Sequence, residues 1–540
     1  MNMIPEVNGE AVQNKDVVFA VPEEMTVLLK GFTAETGENV MKVFTERTGT
    51  GCRIREVSDH ESVRMTDLAP GNEMMIEKDM KLAEEGYRLE VTENSIRITA
   101  GNEKGIIWAL TTIYQLMDEQ KNVPCVSMTD APRLSYRGIM LDCVRHFFSV
   151  QEVKKVIEEM SLVKLNVLHW HLADDQGFRI ESRKYPLLHS QCGSEYYSQE
   201  QIREIVAYAD QRGVEVIPEI DMPGHTSAIL AAYPEYGCRG ERVALPESGG
   251  IYPIVLCPGK EKTYEFLDGL LGEVSALFTS GWFHIGGDEA PDREWKICSD
   301  CRRKMQEEGL TDTRQLQGYF SERVRNILRG YGKKVICWND SLEASNFIGQ
   351  GKTDDKTLVQ FWSVQYADSM ISYLRKGGKF IYSDMFELYL DYPCSMNSMK
   401  KIYHCRAEIR KQIYESVQNL KGMEACLWTE HVVTDSQLEE RLFPRIYALA
   451  ENTWSGDCGY DSFCTGLQQY IAGKRKGKAA CLTLSQADPK GEARKQELME
   501  YMSSMQSNMS DEMKEMVKEF TKPSEEFAAR FQEKFLKSDE

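Results

Sequence analysis

The 540-residue sequence lacks the features expected of a membrane protein or a nucleic-acid-binding protein. No apolar run approaches the roughly 18 residues that a membrane span needs. The first residues, MNMIPEVNGEAVQNKD, resemble no secretory signal, because they contain neither a basic nor an apolar segment. Basic residues are in deficit, with 65 Lys and Arg against 84 Asp and Glu, for a net charge of −19. Since phosphate binding needs clustered positive charge, we expect no nucleic-acid partner and no membrane partner.

Regular cysteine spacings are also missing. The 15 cysteines are scattered, and several lie inside apolar strand-like segments, as Cys143, Cys337 and Cys426 do. This usage is typical of free thiols in a reducing compartment, so we expect a cytoplasmic protein. Cys298 and Cys301 form a lone CxxC, without a second pair or a thioredoxin-like context. We therefore interpret them as cysteines at the start of a helix, and we predict no metal site and no cofactor.

Two changes in the pattern of apolar and polar residues divide the chain into three predicted domains. Residues 1–132 contain alternating strand-like segments, with the apolar helix GIIWALTTIYQLMDE, and end in the extended connector VPCVSMTDAPRLSYRG. This pattern indicates a small N-terminal α+β domain. Residues 133–457 alternate short apolar strands with helical segments. Residues 458–540 are polar and periodic, which indicates a C-terminal helical extension.

The middle region contains eight strand-like segments, most of them separated by helical stretches. In chain order they are RGIMLDC, NVLHWHLAD, VEVIPEID, WFHIGGDE, KKVICWND, TLVQFWS, KFIYSDM and MEACLWTE. The helix DSQLEERLFPRIYALAENTW follows the last strand. Eight nearly continuous apolar strands alternating with helices predict an α/β fold, the (β/α)8 TIM barrel. A dinucleotide-binding fold is disfavoured, because no Gly-rich turn follows the first strand.

Polar side chains collect where these strands end, which is where barrel enzymes carry their active sites. Asp288 and Glu289 follow two glycines in FHIGGDEA. Two adjacent carboxylates repel, so one tends to stay protonated and can act as a general acid. Alone, the pair is better explained as solvated residues at the start of a loop. HWHLADD and IDMPGH add further carboxylates and imidazoles at the same rim, and this combination favours an active site.

Tryptophans occur at or near the ends of four strands, at Trp170, Trp338, Trp362 and Trp428. For any one of them, ordinary packing is an adequate explanation. Three at successive strand ends, at positions 338, 362 and 428, favour a pocket for the apolar face of a sugar or for an acetamido methyl group.

Taken in order, these strings resemble the family-20 glycoside hydrolases, the β-N-acetylhexosaminidases. The resemblance covers roughly residues 85–455 and depends on YRGIMLDCVRHFF, KLNVLHWHLADDQGFRIE, VIPEIDMPGHTSA, FHIGGDEA, CWND, YLDY and ACLWTE. It implies an exo-acting enzyme that removes terminal β-linked GlcNAc or GalNAc from an oligosaccharide or other glycan. It also implies substrate-assisted retaining catalysis, in which the substrate's acetamido oxygen forms an oxazolinium intermediate.

The resemblance also implies roles for individual residues. Glu289 matches the general acid/base, and Asp288 matches the residue that holds the acetamido N–H and stabilises positive charge. Tyr389 matches the tyrosine that binds the acetamido carbonyl. Asp174 and His225 match a pair that supports the acid. The implied sugar-binding residues are Trp338, Trp362 and Trp428 around the acetamido group and Arg145, Asp391 and Glu430 on the hydroxyls.

Two departures affect what the resemblance implies for substrate choice. The usual DDQGWR is DDQGFR here, with Phe178, and no tryptophan follows YLDY to stack on a leaving-group sugar. Leaving-group specificity therefore stays open, including lacto-N-biosidase-type release of a disaccharide. Three further readings remain. One is a metal-dependent hydrolase built on HWH, for which we expect no later His-rich strand end to complete the metal set. The others are a non-catalytic sugar-binding barrel and, as the assembly, a homodimer.

Overall fold

The computed structural model describes residues 3–58, 71–343, 355–409, 419–456, 459–474 and 481–508. The N-terminal part is a seven-stranded mixed sheet, in the order β1-β7-β5-β6-β4-β2-β3, with two helices. Its strands are β1 Ala11–Ala20, β2 Glu24–Lys30, β3 Gly51–Glu56, β4 Glu73–Lys78, β5 Tyr87–Val91, β6 Ser95–Ala100 and β7 Asn122–Asp130, and its helices are α1 Ala34–Thr48 and α2 Glu103–Leu116.

The predicted connector between the first two domains is only partly a connector. Its first eight residues lie in β7, which pairs antiparallel with both β1 and β5 inside the sheet. Pro124 is accommodated next to the irregularity in the β1–β7 register, where a missing N–H leaves the ladder intact. The prediction of extended backbone was correct, but the link between the domains is shorter than the sequence indicated.

The predicted (β/α)8 barrel is confirmed. Eight parallel strands form a closed barrel in the order β8-β9-β12-β13-β14-β15-β16-β17, and β17 pairs back onto β8. Their bounds are β8 Tyr136–Asp142, β9 Val167–His171, β12 Glu215–Glu219, β13 Trp282–His284, β14 Lys334–Trp338, β15 Thr357–Phe361, β16 Phe380–Tyr382 and β17 Leu420–Leu427. The short hairpin of β10 Ala173–Asp174 and β11 Gly177–Phe178 follows β9.

Helices of very different lengths connect and surround these strands. They are α3 Val150–Leu162, α4 Leu187–Ser190, α5 Gln199–Asp210, α6 Ser227–Ala232, α7 Glu261–Ser275, α8 Arg293–Ile297, α9 Ser299–Glu307, α10 Thr313–Gly330, α11 Ala367–Arg375, α12 Met385–Leu388, α13 Met399–Tyr403, α14 Asp435–Leu442 and α15 Arg445–Trp454. Side chains cap the N-termini of several of the longer ones, as Ser198 does in a capping box with Gln201 before α5. In the described residues, no helix is long and apolar enough to cross a membrane.

The single helix predicted after the last barrel strand is wrong. The structure has two helices there, and Phe443 and Pro444 lie between α14 and α15. Proline supplies no N–H and its ring collides with the preceding turn, so the helix cannot continue through this position. The predicted periodicity is nevertheless present on both sides of the break.

The C-terminal region contains α16 Tyr460–Lys474, α17 Leu484–Ala487 and α18 Gly491–Asn508. Phe463 and Leu467 of α16 are buried in the same hydrophobic core as the barrel helices. Glu497 on α18 accepts a hydrogen bond from the Ser395 backbone N–H at 2.8 Å. The predicted helical residues after Asn508 lie outside the described part of the chain, and the division at residues 132 and 457 stays a prediction.

Buried charges join the N-terminal sheet to the barrel. Asp130 at the end of β7 binds Lys164 at 2.9 Å, and Glu85 binds Arg137 at 2.6 Å. The Trp454 indole N–H also donates to Asp130, at 2.9 Å. Because these charges are almost fully buried, each depends on its partner across the contact.

The expectation that Cys298 and Cys301 stand alone is wrong. They do lie at the start of a helix, since Cys298 is the N-cap of α9 and Cys301 is in its first turn. The fold, however, places the thiols of Cys238 and Cys257 against them. The second pair was invisible in the sequence because 63 residues separate Cys238 from Cys301.

Candidate active site

The predicted catalytic pair lies just beyond β13, at the C-terminal rim of the barrel. The strand ends at His284, and the next two glycines, Gly286 and Gly287, have φ values of +62° and +95°. A side chain at Gly286 has no room, because a Cβ there would lie 1.9 Å from Asp221 Oδ1. These two glycines turn the chain so sharply that the two carboxylates after them leave the strand geometry.

Asp288 lies among other carboxyl groups. Asp221 accepts a hydrogen bond from the Gly287 N–H at 2.9 Å and is itself hydrogen-bonded to the Asp288 carboxyl. Burial raises the pKa of Asp288, and the negative charge of Glu289 raises it further. Burial and the charge of Asp288 also raise the pKa of Asp221 well above its usual value. Two acids in contact share one proton most easily, so the raised pKa belongs to the pair rather than to either residue alone.

Glu289 is the more accessible of the two predicted catalytic residues. Its side chain is 26% exposed, against 14% for Asp288. Its backbone has a φ of +42°, which is unusual for a residue with a side chain, and its N–H donates to Asp340 Oδ2 at 2.9 Å. Strain of this kind persists where the surroundings fix the geometry, and here it aims a carboxyl group outward from the rim.

His225 connects the carboxylates of two loops. Its Nδ1 is 3.2 Å from both Asp174 Oδ1 and Asp175 Oδ2, and its Nε2 is 3.6 Å from Glu289 Oε2. Burial alone would lower the pKa of His225, but the surrounding carboxylates, Asp174 first, raise it well above its usual value. The imidazole is therefore a cation that balances the negative charge beside Glu289.

Arg145 extends the same network toward the sugar-binding residues. Its Nη2 binds Asp174 Oδ2 at 2.8 Å, and its Nε lies 3.7 Å from Glu430 Oε1. The guanidinium carbon is 4.9 Å from the centre of the Trp428 ring, within cation–π distance. Burial opposes the charge, but the adjacent carboxylates keep the pKa of Arg145 well above its usual value.

The predicted aromatic residues form one cluster beside these charges. Trp338 and Tyr389 are buried in it, and Trp362 and Trp428 pack against them. Trp428 lies 6.0 Å from Trp338 and 6.3 Å from Tyr389, measured between ring centres. The Trp338 indole N–H donates to Glu219 at 3.0 Å, so the buried Glu219 carboxylate fixes the orientation of the indole ring. Trp170, by contrast, lies in the main hydrophobic core and is not part of this cluster.

Asp391 and Glu430 occupy the outer part of the rim. Burial, followed by the charge of Glu430, raises the pKa of Asp391 to about 7. Among the described residues, Asp391 Oδ1 and Asp288 Oδ1 are both buried without a hydrogen-bond partner in the protein. Buried polar atoms are almost always paired, so an unpaired carboxylate oxygen on each of these two residues can receive a donor from a ligand.

Beneath the rim, the barrel interior holds a network of imidazoles around Glu219. His169 and His284 stack at 4.4 Å between ring centres, and both reach Glu219, at 3.1 and 2.8 Å. His171 bridges Glu219 and Asp174. Burial opposes protonation, but Glu424 and Glu219 raise the pKa of His169 to about 9.

This network corrects one argument made from the sequence. We expected no histidine on a later strand to join HWH, yet His284 on β13 does so, and His169, Glu219 and His284 have donor atoms within 4.8 Å of one another. The donors are engaged with one another and with Trp338, which favours a hydrogen-bonded support for the pocket. The metal-hydrolase reading stays a hypothesis that EDTA treatment tests.

A continuous series of contacts joins the eleven predicted site residues. Glu289 and Asp288 face His225, which contacts Asp174. Asp174 binds Arg145, which contacts Glu430 and Trp428. The charges of Asp391 and Glu430 interact. Tyr389 and Trp338 contact Trp428. Trp362 is linked to Glu289 through Asp340, which accepts hydrogen bonds from the Trp362 indole N–H at 3.3 Å and from the Glu289 backbone N–H at 2.9 Å.

Three residues at the site received no role in the sequence analysis, although strings that it placed at the strand ends contain two of them. Asp221 and Asp340 were visible in IDMPGH and CWND, but nothing in one sequence showed that they flank Asp288 and Glu289. Tyr501 on α18 lies 6.0 Å from Tyr392, between ring centres, next to Asp391. A C-terminal residue at the site rim has no local sequence signal.

Comparisons with known proteins agree with this geometry. The model of the glycosyl hydrolase family 20 catalytic domain matches residues 134–457, and the model of that family's domain 2 matches residues 1–131. A β-hexosaminidase from Porphyromonas gingivalis is 34% identical over 479 residues; the match covers 82% of this chain but only 59% of that protein.

Solved structures give the same result. A β-N-acetylhexosaminidase from Bacteroides fragilis has a TM-score of 0.77 at 28% identity, covering 91% of this chain and 99% of that one. A Vibrio harveyi exo-β-N-acetylglucosaminidase, solved with N-acetylglucosamine, has a TM-score of 0.72 at 27% identity, covering 87% and 76%. The resemblance in the sequence is thus confirmed: the chain belongs to glycosyl hydrolase family 20, among the β-hexosaminidases, and is a glycosidase.

Proposed function

We propose that this protein is an exo-acting β-N-acetylhexosaminidase that cleaves terminal GlcNAc or GalNAc residues by substrate-assisted retaining catalysis. The observation that carries the proposal is the position of the adjacent Asp288 and Glu289 carboxyls beside the aromatic cluster of Trp338, Trp362 and Tyr389. Two neighbouring carboxyls on one strand end are poorly arranged to flank a glycosidic bond from opposite faces. A nucleophile carried by the substrate removes that requirement.

In the first step, the acetamido oxygen of the sugar attacks the anomeric carbon. The glycosidic C–O bond breaks as Glu289 gives its proton to the departing oxygen, and an oxazolinium ion forms. Asp288 holds the acetamido N–H and stabilises the positive charge, and Tyr389 donates to the acetamido oxygen. Burial raises the pKa of Tyr389 well above its usual value, so the hydroxyl stays a donor.

In the second step, Glu289 takes a proton from water, whose oxygen attacks the same carbon from the side the aglycone left. The oxazolinium ring opens and the acetamide is regenerated, so the anomeric configuration is retained. Asp174 and the cationic His225 position Glu289. Arg145, Asp391 and Glu430 bind the sugar hydroxyls.

The test compares two variants on two substrates. Glu289→Gln should lose most activity on chitobiose, whose leaving group needs a proton, and far less on a dinitrophenyl N-acetyl-β-glucosaminide, whose leaving group does not. Asp288→Asn should lose activity on both, since oxazolinium stabilisation is common to both. Glu308→Gln, an exposed carboxylate on the α9 side of the loop, is the matched control and should behave as the wild type.

Substrates without the internal nucleophile complete the test. An aryl β-glucoside should be inert, and a thiazoline analogue of the oxazolinium ion should inhibit. Equal turnover of glucoside and N-acetylglucosaminide would overturn the mechanism. A panel with aryl-β-GlcNAc, aryl-β-GalNAc and lacto-N-biose substrates decides between release of a monosaccharide and release of a disaccharide.

We also propose that the protein works in a reducing compartment, as expected for the cytoplasm. The observation behind this is that the 14 cysteines in the described residues carry no disulfide. Alkylation in intact cells followed by mass spectrometry tests it, and a disulfide found under those conditions would contradict it.

A further inference from the structure

Four cysteine thiols meet in two loops at the barrel rim. Cys238 and Cys257 lie at the two ends of the loop that follows β12, and Cys298 and Cys301 begin α9, after β13. The Sγ–Sγ distances are 3.7 Å for Cys238–Cys301, 3.8 Å for Cys257–Cys298 and 3.5 Å for Cys257–Cys301. All four sulfurs lie within 4.8 Å of one another. Cys257 and Cys301 are buried, and Cys238 and Cys298 are half-buried.

We propose that these four thiols bind one structural Zn²⁺ ion. Four sulfurs placed about 2.3 Å from a tetrahedral zinc lie about 3.8 Å from each other, which is close to the three distances above. A disulfide needs about 2.05 Å, and two separate disulfides would not bring every sulfur within reach of every other. Four ligands from the protein also fill the coordination sphere, as in structural rather than catalytic zinc sites.

The surroundings are built to hold thiolates. Cys298 is the N-cap of the nine-residue helix α9 and Cys301 lies in its first turn, where the backbone dipole favours negative charge. The Gly259 backbone amide is hydrogen-bonded to the Cys257 sulfur. A Cβ at Gly259 would lie 2.3 Å from the Asp300 carbonyl carbon, so only glycine allows the two loops to approach this closely.

The cluster also explains how two long loops are held in place. Their apolar packing is a small satellite of the main core, built around Val255, Trp295 and Leu316. Few such side chains supply little stability, and small apolar units of this kind are commonly held by a metal. The two loops are otherwise joined by an ion pair between Arg239 and Glu294 and by the Trp295 N–H on the Leu256 carbonyl at 3.0 Å.

Zinc bound to these cysteines would affect the active site through the two loops that it holds together. The loop between Cys238 and Cys257 extends over the rim, where Gly249 packs against Glu430 so closely that a Cβ would lie 2.5 Å from Glu430 Cγ. The Ser248 carbonyl accepts a hydrogen bond from Gln176 at 2.8 Å. The other loop begins with Asp288 and Glu289. One ion therefore ties the catalytic loop to a wall of the sugar-binding rim.

The first experiment measures metal in the wild-type protein, purified under reducing conditions without metal-affinity resin. We expect about one zinc per chain after gel filtration, released on titration of thiols with a mercurial reagent. Cobalt exchanged for zinc should give the thiolate-to-metal charge-transfer bands and strong visible bands of a tetrahedral tetrathiolate site. A folded protein that contains no zinc, or iron in its place, would overturn the proposal, and so would a disulfide among these cysteines in anaerobically purified protein.

The second experiment uses a matched pair of variants. Cys298→Ser/Cys301→Ser should lose the zinc, while Cys125→Ser/Cys464→Ser, which removes two thiols outside the cluster, should keep it. Loss of zinc should loosen the loop, so that trypsin cleaves faster after Arg239, whose side chain is already 66% exposed. It should also raise KM more than it lowers kcat, because Glu430 loses the loop that packs on it. Full zinc retention in the first variant would refute the ligand assignment. If that variant does not fold, the wild-type metal content and cobalt spectrum still decide the question.

Discussion

Gly286 gives the sharpest test of how the backbone positions the catalytic pair. A Cβ at this position would lie 1.9 Å from Asp221 Oδ1 and 2.1 Å from Asp221 Cγ. Non-bonded carbon and oxygen atoms do not approach closer than about 3 Å, so Gly286→Ala must push the Asp221 carboxyl away by about 1 Å or more. The positive φ of +62° adds about 1–2 kcal/mol of strain for any residue with a side chain.

The displaced carboxyl is the one that fixes the catalytic loop. Asp221 accepts the Gly287 N–H and is hydrogen-bonded to Asp288. A displacement of about 1 Å in an active site can cost about 10²-fold in rate, which corresponds to ~2.7 kcal/mol of transition-state stabilisation. We therefore expect Gly286→Ala to lower kcat/KM on an aryl N-acetyl-β-glucosaminide by about two orders of magnitude, mainly through kcat.

The control is Gly281→Ala, at the other end of the same strand. A Cβ at Gly281 meets no atom within 4 Å, and its φ is not positive, so this variant should keep the wild-type rate. Asp221→Ala removes the atoms that collide. The rate losses of Asp221→Ala and Gly286→Ala should thus be strongly non-additive in the double variant. A Gly286→Ala enzyme with a normal melting temperature and a kcat/KM within about threefold of wild type would refute the reasoning.

Two further predictions concern buried charges. Lys164→Met leaves Asp130 buried without its counter-charge, so this variant should lower the free energy of unfolding at pH 7 by about 3–5 kcal/mol. The double variant Lys164→Met/Asp130→Asn should recover part of this loss. Equal melting temperatures in the wild type and the single variant would contradict the prediction. Burial would raise the pKa of Asp130, but the charge of Lys164 keeps that pKa below its usual value. The ion pair therefore stabilises the fold at neutral pH, and this stabilisation is lost as acid protonates Asp130. Because the pKa of Asp391 is about 7, ionisation should strengthen its bond to a sugar hydroxyl, and kcat/KM should rise from about pH 6 to 8 in wild type but not in Asp391→Asn. An identical rise in that variant would remove Asp391 from the binding residues.

The fold was predictable because its signals are local and repeated. The barrel strands are short and mostly apolar, and several of the long helices have a regular period and a side-chain cap, as α3 has in Ser149. The two errors of secondary structure came from proline. Pro124 made a sheet strand look like a linker, and Pro444 divides a helix that the periodicity alone would continue. Propensity is a weak guide where tertiary pairing or one ring decides the outcome.

The candidate site was predictable to the extent that each residue carries a signal in its own string. FHIGGDEA contains both the carboxylates and the glycines that expose them, and the tryptophans end their strands. The same reasoning could not show that Asp221 and Asp340 flank Asp288 and Glu289, because their strings contain one carboxylate each, among many in the sequence. What makes these two residues part of the site is strand order around a closed barrel, which brings the ends of β12, β13 and β14 to one rim.

The cysteine cluster shows where such reasoning fails by its own logic. The lone CxxC was set aside because a zinc site needs a second pair, and that requirement is physically sound. The second pair exists, but Cys238 and Cys257 are single cysteines in the sequence and become a pair only when their loop closes on itself at the Gly237–Leu256 bridge. Closing a loop costs little free energy and produces no periodic pattern in the sequence. Contacts between loops are therefore the part of a barrel enzyme that is hardest to predict from the local patterns of one sequence. A motif that is incomplete along the chain should therefore be judged against every loop at the same end of the barrel before it is dismissed.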